Sequence, residues 1–375
     1  MSSYRALLVV AALAAAACED APLDPMARNA SLGIGGAGGA GAVFVLSNAA
    51  AGNELLVFPR SGGGGLGSPT AYPTGGLGSG GGLGNQGGIV LTRGDRLLYA
   101  INAGSDEISG FRLTGGAVIL IGTWDSNGDL PISLAVHGDL LYVLHNGGDP
   151  NVTGFRIGAD GSLTPIAGST QALAAGPDAA QVGFSPDGSR IVVTEKALNQ
   201  LETFAVLGDG TLGPATMTPS AGETPFGFAF DPRGTLIVSE AFGGAPDASL
   251  LSSYRPAGPG WAAVSPLAAT TETAACWVVV TPNGKYVYTT NTGSASVSGY
   301  AVGQHGSLTL LDADGVTGTT GAGPLDLDVA RNGRFLYTRT GSGSISIFRI
   351  GSDGSLTHLG DLGGLPGGAN GLVAQ

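Results

Sequence analysis

The sequence has little charge and no concentration of positive charge. Only 12% of its 375 residues are charged, and 16 basic residues against 28 acidic ones give a formal net charge of −12. Lys and Arg are scattered singly along the chain. Nucleic-acid binding requires a basic surface that neutralises phosphates, so this composition argues against a nucleic-acid partner.

Residues that hold metals or form disulfides are also scarce. The chain has two cysteines, Cys18 and Cys276, and four scattered histidines at 137, 145, 305 and 358. No spacing matches a zinc motif, and the Asp-Gly stretches lack the twelve-residue pattern of a calcium loop. We therefore predict no bound metal and no cofactor. Cys276 is interpreted as a small buried apolar residue.

Long amphipathic helical patterns are missing as well. Hydrophobic residues make up 43% of the chain, yet no long stretch repeats with a helical period. Glycine is abundant, with 68 residues. This combination favours many short strands joined by tight turns, which is an all-β fold.

The N-terminus has the pattern of an export signal. A short start with one positive charge precedes an apolar run, Ala6 to Ala17, that ends at Cys18. Twelve apolar residues are too few to cross a bilayer as a helix. The pattern resembles a bacterial lipoprotein signal, which predicts a signal peptide at 1–17, lipidation of Cys18 and a glycine-rich tether at 18–39. The expected location is the cell envelope, with membrane contact only through the lipid. The alternative is an ordinary signal peptide and a periplasmic or secreted protein.

An aromatic residue recurs along the rest of the chain at intervals of 44 to 53 residues. Each copy ends a short alternating stretch, as in Glu107 to Phe111. The seven copies are Phe58, Phe111, Phe155, Phe204, Tyr254, Tyr300 and Phe348. A repeat of this length is typical of stacked or circular repeat folds.

Turn motifs divide each repeat into four strands. One turn precedes the aromatic strand by about twenty residues, as in Ser185 to Gly188, and a second follows it, as in Asp160 to Leu163. Asp-Gly and Asn-Gly pairs reach the positive φ that tight hairpins need. Four antiparallel strands per repeat form a propeller blade, so residues 40–375 are predicted to form seven blades.

The two ends of this region complement each other. The first repeat begins at Ala42 to Val45, which matches a second strand, so its inner strand is missing. The stretch 369–374 can supply that strand from the other terminus. Closure of this kind removes exposed strand edges. We therefore predict a ring closed by N- and C-terminal strands, in a monomer.

Several segments resemble the lactonase-type family of seven-bladed propellers. They are Gly183 to Gly188, Val193 to Lys196 with Phe204, Pro225 to Phe230, and Asp353 to Thr357. The family includes propeller-type 6-phosphogluconolactonases and carboxymuconate cyclases, so the resemblance implies opening or closing of a lactone ring. The Pro-His-x-His pattern of the 6-phosphogluconolactonases corresponds here to Pro177-Asp178-Ala179-Ala180-Gln181, without the histidines.

Strand order predicts where a site would lie. The Asp-Gly turns share one face, whereas the loops between second and third strands and the connections between blades share the other. On that second face, Glu195 or His145 is the candidate general base, and Lys196 or Arg339 would stabilise an oxyanion. The candidate substrate-binding residues are Asp178, Gln181, Glu240, Trp277, Asn291 and Asp326.

Each candidate has a structural alternative. Glu195 and Lys196 could form a surface ion pair of little energetic value, His145 could be an exposed loop residue, and Trp277 could be part of the core. Two functions therefore remain open. One is an exported enzyme that hydrolyses or forms the lactone ring of a small polar, sugar-like metabolite. The other is a non-catalytic binding or scaffold propeller of the envelope. Convergence of Glu195, Lys196, His145 and Arg339 on one pocket would favour the enzyme.

Overall fold

The computed structural model describes residues 39–92 and 94–375, and this part of the chain is almost entirely β-structure. It contains thirty strands, β1 to β30, and a short 3-10 turn at Phe242–Gly244. No helix in these ranges is long and apolar enough to span a membrane. The predicted signal peptide, Cys18 and all but the last residue of the predicted tether lie outside the described residues.

The strands form seven antiparallel sheets, which are the seven predicted blades. The first four blades, each given from the innermost to the outermost strand, are as follows: blade one, β30 (Asn370–Ala374), β1 (Gly39–Leu46), β2 (Glu54–Ser61) and β3 (Thr70–Pro73); blade two, β4 (Ile89–Leu91), β5 (Leu97–Asn102), β6 (Glu107–Thr114) and β7 (Ala117–Asp125); blade three, β8 (Pro131–His137), β9 (Leu140–His145), β10 (Asn151–Ile157) and β11 (Leu163–Pro165) with β12 (Gln171–Ala172); blade four, β13 (Ala179–Phe184), β14 (Arg190–Glu195), β15 (Gln200–Ala205) and β16 (Thr216–Pro219).

The remaining three blades repeat this order. They are blade five, β17 (Pro225–Phe230), β18 (Leu236–Glu240), β19 (Leu250–Ala257) and β20 (Gly260–Ala269); blade six, β21 (Ala275–Val280), β22 (Tyr286–Asn291), β23 (Ser296–Val302) and β24 (Leu308–Leu310) with β25 (Gly318–Thr319); blade seven, β26 (Pro324–Val329), β27 (Phe335–Thr340), β28 (Ser344–Ile350) and β29 (Leu356–Gly363). The outer strand is split into two pieces in blades three and six.

The ring closes as the sequence predicts. The C-terminal strand β30 pairs with β1, with Val43 opposite Ala374 and Leu46 opposite Asn370. Beyond β30, the Gln375 N–H donates to the carbonyl of Ala42 at 2.9 Å. The innermost strand of blade one therefore comes from the far end of the chain.

The recurring aromatic lies on the third strand of every blade and is at most 2% exposed in all seven. These rings fill the spaces between adjacent blades: Phe204, for example, packs with residues of blade three, and Tyr254 with residues of blade four. The repeat in the sequence is thus the repeat of interblade packing.

The Asp-Gly motifs form the predicted hairpin turns. Gly188 has a φ of 71°, and its N–H donates to the Ser185 carbonyl at 2.8 Å. The Asp187 carboxylate accepts from the N–H and hydroxyl of Ser189, which fixes the turn. We call the face formed by these hairpins the turn face and the opposite face, with the second-to-third loops and blade-to-blade connections, the mouth face.

Candidate functional site

A cavity of about 270 Å³ opens on the mouth face. It lies where blades one, two, six and seven meet around the central axis. Its walls come from residues 82–85, 366–370 and 341–343, together with Trp277, Leu325 and Arg339. We call it the mouth cavity. Its position agrees with the face on which strand order places a site.

Arg339 is the cation of this cavity. It lies on β27 and is 5% exposed. Among the described residues its guanidinium makes no hydrogen bond, and its Nε is buried without a partner. Burial lowers the pKa of Arg339 to about 10, whereas the neighbouring Asp326 carboxylate acts to raise it. The side chain is therefore charged at neutral pH and has free donors.

Asp326 is the carboxyl group whose charge raises the pKa of Arg339. Its Oδ1 accepts from the Leu327 N–H at 3.0 Å and its Oδ2 from the Leu372 N–H at 3.1 Å. Burial raises the pKa of Asp326 to about 7, although the Arg339 charge opposes that rise. Asp326 therefore ties blade seven to the closing strand β30 and titrates near neutrality.

Trp277 and Lys196 both hold the segment that forms one wall. The Trp277 Nε1 donates to the Asn85 carbonyl at 2.7 Å, and the Lys196 Nζ donates to the Gly84 carbonyl at 3.0 Å. Lys196 also lies 3.3 Å from the Asp178 carboxylate. The ring of Phe226 lies between them, 5.0 Å from the ammonium and 4.8 Å from the tryptophan ring. Lys196 thus pairs with Asp178 rather than with Glu195, and Trp277 is both core and cavity wall.

Gln86, which follows the wall segment 82–85, crosses the central channel. Its N–H donates to the Ala180 carbonyl of blade four at 3.1 Å. Its side-chain amide donates to the Val278 carbonyl of blade six at 2.8 Å and accepts from the Val278 N–H at 3.1 Å. A connection that leaves blade one is therefore fastened across the ring, directly after its residues 82–85 have formed a wall of the mouth cavity.

The other predicted acid–base residues lie in the seams between blades. His145, Glu195, Glu240 and Asn291 are each the last residue of a second strand, and each is 0% exposed. The abrupt change from apolar to polar that singled them out in the sequence marks this shared position. They do not converge on the mouth cavity, which is lined by Arg339 and Trp277 and which Lys196 reaches only through its bond to Gly84.

His145 lies in the seam between blades two and three. Its Nδ1 is 3.0 Å from the Asn151 Oδ1, and its ring packs against the Gly128 backbone so closely that a Cβ there would lie 2.6 Å from the ring. Burial lowers the pKa of His145. It is a buried seam residue rather than an exposed loop residue.

Glu195 lies in the seam between blades three and four, against a second carboxyl group. Its Oε2 accepts from the Gln200 amide, and its Oε1 has no partner among the described residues. Glu202 faces it, and burial together with Glu195 raises the pKa of Glu202 to about 8. The pair therefore keeps a proton at neutral pH. The alternative of a surface ion pair is wrong, because Glu195 is buried.

Glu240 and Asn291 are also bonded within their seams. The Glu240 Oε1 accepts from the hydroxyls of Ser220 at 2.7 Å and Ser252 at 2.6 Å, and burial raises its pKa to about 7. Asn291 donates to Ser296 at 3.0 Å and to Ser298 at 2.8 Å. Roles for these two residues in substrate binding stay predictions.

Gln181 has a structural partner as well. Its amide donates to the Phe228 carbonyl at 3.0 Å and accepts from the Phe228 N–H at 2.7 Å, which ties blade four to blade five. Cys276 is buried, which agrees with its interpretation as a small apolar core residue, and burial raises the pKa of its thiol to about 11. Within the described ranges, no group of three or more His, Cys, Asp or Glu residues could hold a metal ion.

Sequence reasoning missed two contributors. Asn85 stands beside Gln86 in a glycine-rich connection, where the interruption of the glycine run was the available signal. Glu202 stands in an otherwise regular strand, where a carboxylate between Leu201 and Phe204 on alternating positions was the signal. Asn85 accepts from Trp277 of blade six, whereas Glu202 faces Glu195 of its own blade.

The comparisons with known proteins agree with this architecture. The chain matches the family described as Lactonase, 7-bladed beta-propeller, over residues 152–241 and 261–367, which is more than half of its length. No curated protein sequence matches the chain.

Solved structures with the same fold cover nearly the whole propeller. A Bacteroides fragilis protein with a provisional 6-phosphogluconolactonase assignment is 20% identical, with a TM-score of 0.70 over 88% of this chain and 97% of that one. The periplasmic gluconolactonase of Pseudomonas aeruginosa is 17% identical, with a TM-score of 0.68 over 89% of this chain and 99% of that one. Identities this low show a shared fold, while the family match rests on the sequence itself. The chain belongs to the lactonase family of seven-bladed β-propellers.

Proposed function

We propose that this protein hydrolyses a small lactone bound in the mouth cavity. The observation that carries the proposal is Arg339, a buried cation whose free donors line a cavity beside Trp277. A buried charged group without partners is costly, so its retention on a cavity wall points to a ligand that supplies the missing acceptors. Membership of the lactonase family and the name of the Pseudomonas aeruginosa neighbour support lactone as the ligand class.

In the proposed reaction, Arg339 donates to the carbonyl oxygen of the lactone. Water attacks the carbonyl carbon, and the guanidinium stabilises the oxyanion of the tetrahedral intermediate. The proton of the attacking water is proposed to pass to Asp326, which directly follows the lining residue Leu325, is 3% exposed and has a suitable pKa of about 7. The ring C–O bond then breaks, and the leaving alkoxide takes that proton to give a hydroxy acid. The same steps in reverse close the ring.

A panel of γ- and δ-lactones tested on the purified mature protein decides the matter. Arg339→Ala should lower kcat about 100-fold to 1,000-fold, as removal of an oxyanion donor does. Asp326→Asn should lower kcat without a comparable change in KM. Asp328→Asn is its matched control, because Asp328 also accepts an N–H of β30, that of Ala374 at 2.8 Å, but lies at the other end of the channel. Equal losses in the two Asn variants would show that only ring closure had been damaged.

A binding protein without chemistry is the second candidate. It is favoured by the seam positions of Glu195 and His145 and by the backbone bonds that already occupy both Asp326 oxygens. In that case lactones should raise the Tm through Arg339 while no hydroxy acid forms. Turnover that is lost in Arg339→Ala would exclude this candidate.

We propose in addition that the protein is exported and anchored to the cell envelope through a lipid on Cys18. The support is the sequence pattern alone: a charged start, a short apolar run, small residues before the cysteine, and a glycine-rich segment after it. Two or more acyl chains give stable anchoring, whereas one chain is marginal.

A further inference from the structure

The two faces of the propeller carry very different charge. The loops and connections of the mouth face contain seven acidic residues and one basic residue. The acidic ones are Asp106, Asp129, Asp149, Asp178, Glu223, Asp247 and Glu272, five of them exposed. Basic residues are instead concentrated at the turn face, at the ends of third strands, as in Arg112 and Arg349, and in the hairpins, as in Lys285 and Arg334.

The basic residue of the mouth-face loops is already neutralised. Lys196 lies 3.3 Å from the Asp178 carboxylate and donates to the Gly84 carbonyl. On the cavity wall, the charge of Arg339 interacts with the buried Asp326 carboxyl behind it. The cavity therefore offers one set of free cationic donors, and that set is the one the proposed reaction uses at the lactone carbonyl.

A phosphate or carboxylate on the substrate would need donors of its own. Recognition of such a group in proteins uses bidentate arginine, lysine or several N–H groups, and these would have to be additional to Arg339. An anion approaching the cavity would also cross a rim of exposed carboxylates. The electrostatic field of such a rim changes the association rates of charged ligands by about tenfold to 1,000-fold, and it lowers the rate for a ligand of the same sign as the rim.

We infer that the lactone taken by the mouth cavity carries no negative charge, because the acidic mouth face repels anions and the residues of 39–92 and 94–375 that line the cavity include no second free cation to hold one. This inference rests on the proposed function and narrows its substrate class. Phosphorylated and carboxylated sugar lactones are thereby excluded, and neutral polyhydroxy lactones are favoured.

The test compares δ-gluconolactone with its 6-phosphate, which adds one negatively charged phosphate group to the same ring. We expect kcat/KM to be at least about tenfold lower for the phosphate in dilute buffer. Salt adds a second readout, because the screening length falls from about 30 Å at 0.01 M to about 8 Å at 0.15 M ionic strength. The value for the phosphate should rise with salt, while that for the neutral lactone should stay constant.

A matched pair of variants assigns the effect to the mouth face. The triple variant Asp149→Asn/Glu223→Gln/Asp247→Asn removes three exposed charges there, and should raise kcat/KM for the phosphate selectively. The control Asp160→Asn/Asp209→Asn/Asp353→Asn removes three charges from the turn face, where Asn can still accept the turn hydrogen bonds. It should leave kcat/KM unchanged for both lactones.

The outcomes separate the inference from the proposed function. Preference for the phosphate, or a rate for it that falls with salt, overturns the inference and leaves lactone hydrolysis standing. If neither lactone is hydrolysed, the proposed function fails. A calorimetric titration with the same two compounds then still measures the charge preference, and tighter binding of the phosphate would overturn the inference there as well.

Discussion

Ring closure through β30 should determine the stability of the whole propeller, and Leu372 is the residue that tests it. Leu372 is 3% exposed and packs with Val43, Val45 and Phe335 in the core between blades seven and one. Truncation of a buried leucine costs about 2–5 kcal/mol, the higher values applying where the cavity cannot collapse. Because Leu372 is held by neighbours from both ends of the chain, we expect Leu372→Ala to lie in the upper half of that range.

Removal of the whole strand should cost more. Deletion of residues 370–375 removes the burial of Leu372, about 2–3 kcal/mol, and hydrogen bonds of about 1 kcal/mol each. It also leaves the buried carboxyls of Asp326 and Asp328 without the N–H groups of Leu372 and Ala374. The total exceeds about 5 kcal/mol, which is comparable to the entire stability of many domains.

Urea unfolding followed by tryptophan fluorescence measures both effects. Val373→Ala is the matched control for the point variant, because Val373 is partly exposed and should lose about 1 kcal/mol. A free energy of unfolding that falls no further for Leu372→Ala than for Val373→Ala would refute the role assigned to this strand. So would a truncated protein with the Tm of the full chain.

Three further predictions concern titration and location. Burial raises the pKa of Asp328 from 3.8 to about 7. The contribution of Asp328 to stability is therefore fully present below about pH 3.8 and is lost as the pH rises through 7. Asp328→Asn should reduce the difference between the free energies of unfolding at pH 5 and at pH 8. Glu202→Gln should raise the Tm more at pH 9 than at pH 6, because at high pH Glu195 and Glu202 are both charged and the substitution removes one of these two buried charges. An equal rise in Tm at the two pH values would contradict the pairing. Cys18→Ser should move the protein from the membrane fraction to the soluble fraction, and retention on membranes would refute the lipid anchor.

Much of the fold could be predicted from the sequence because each of its signals is local. An Asp-Gly turn adopts its conformation whatever lies nearby, and the third-strand aromatics recur at the blade interval. Even the closure by β30 could be inferred, since the first repeat lacks an inner strand. The path of residues 82–86 across the channel could not, because a glycine-rich connection has no period and its partners belong to blades four and six.

The candidate site was harder to predict, because a polar residue at a strand end can serve either a substrate or the packing between blades. Blade-to-blade connections bring backbone and hydroxyl groups into the seams, and buried groups of this kind must be paired. Glu240 meets Ser220 from the preceding connection, and His145 packs against Gly128 from another. The fold therefore selects polar residues at the ends of second strands without reference to any substrate.

A different criterion separates function from such structural polarity. Glu240 and Asn291 each leave one buried oxygen unpaired but bond neighbouring hydroxyls through their other side-chain atoms, whereas the Arg339 guanidinium makes no hydrogen bond among the described residues and faces a cavity. Removing a partner from a buried polar group costs about 1–3 kcal/mol, and more for a charged one, so the fold alone gains nothing from an arginine at this position. A leucine of similar volume should therefore leave the Tm unchanged or raise it while abolishing activity. A large loss of stability in Arg339→Leu would instead show that the guanidinium belongs to the fold.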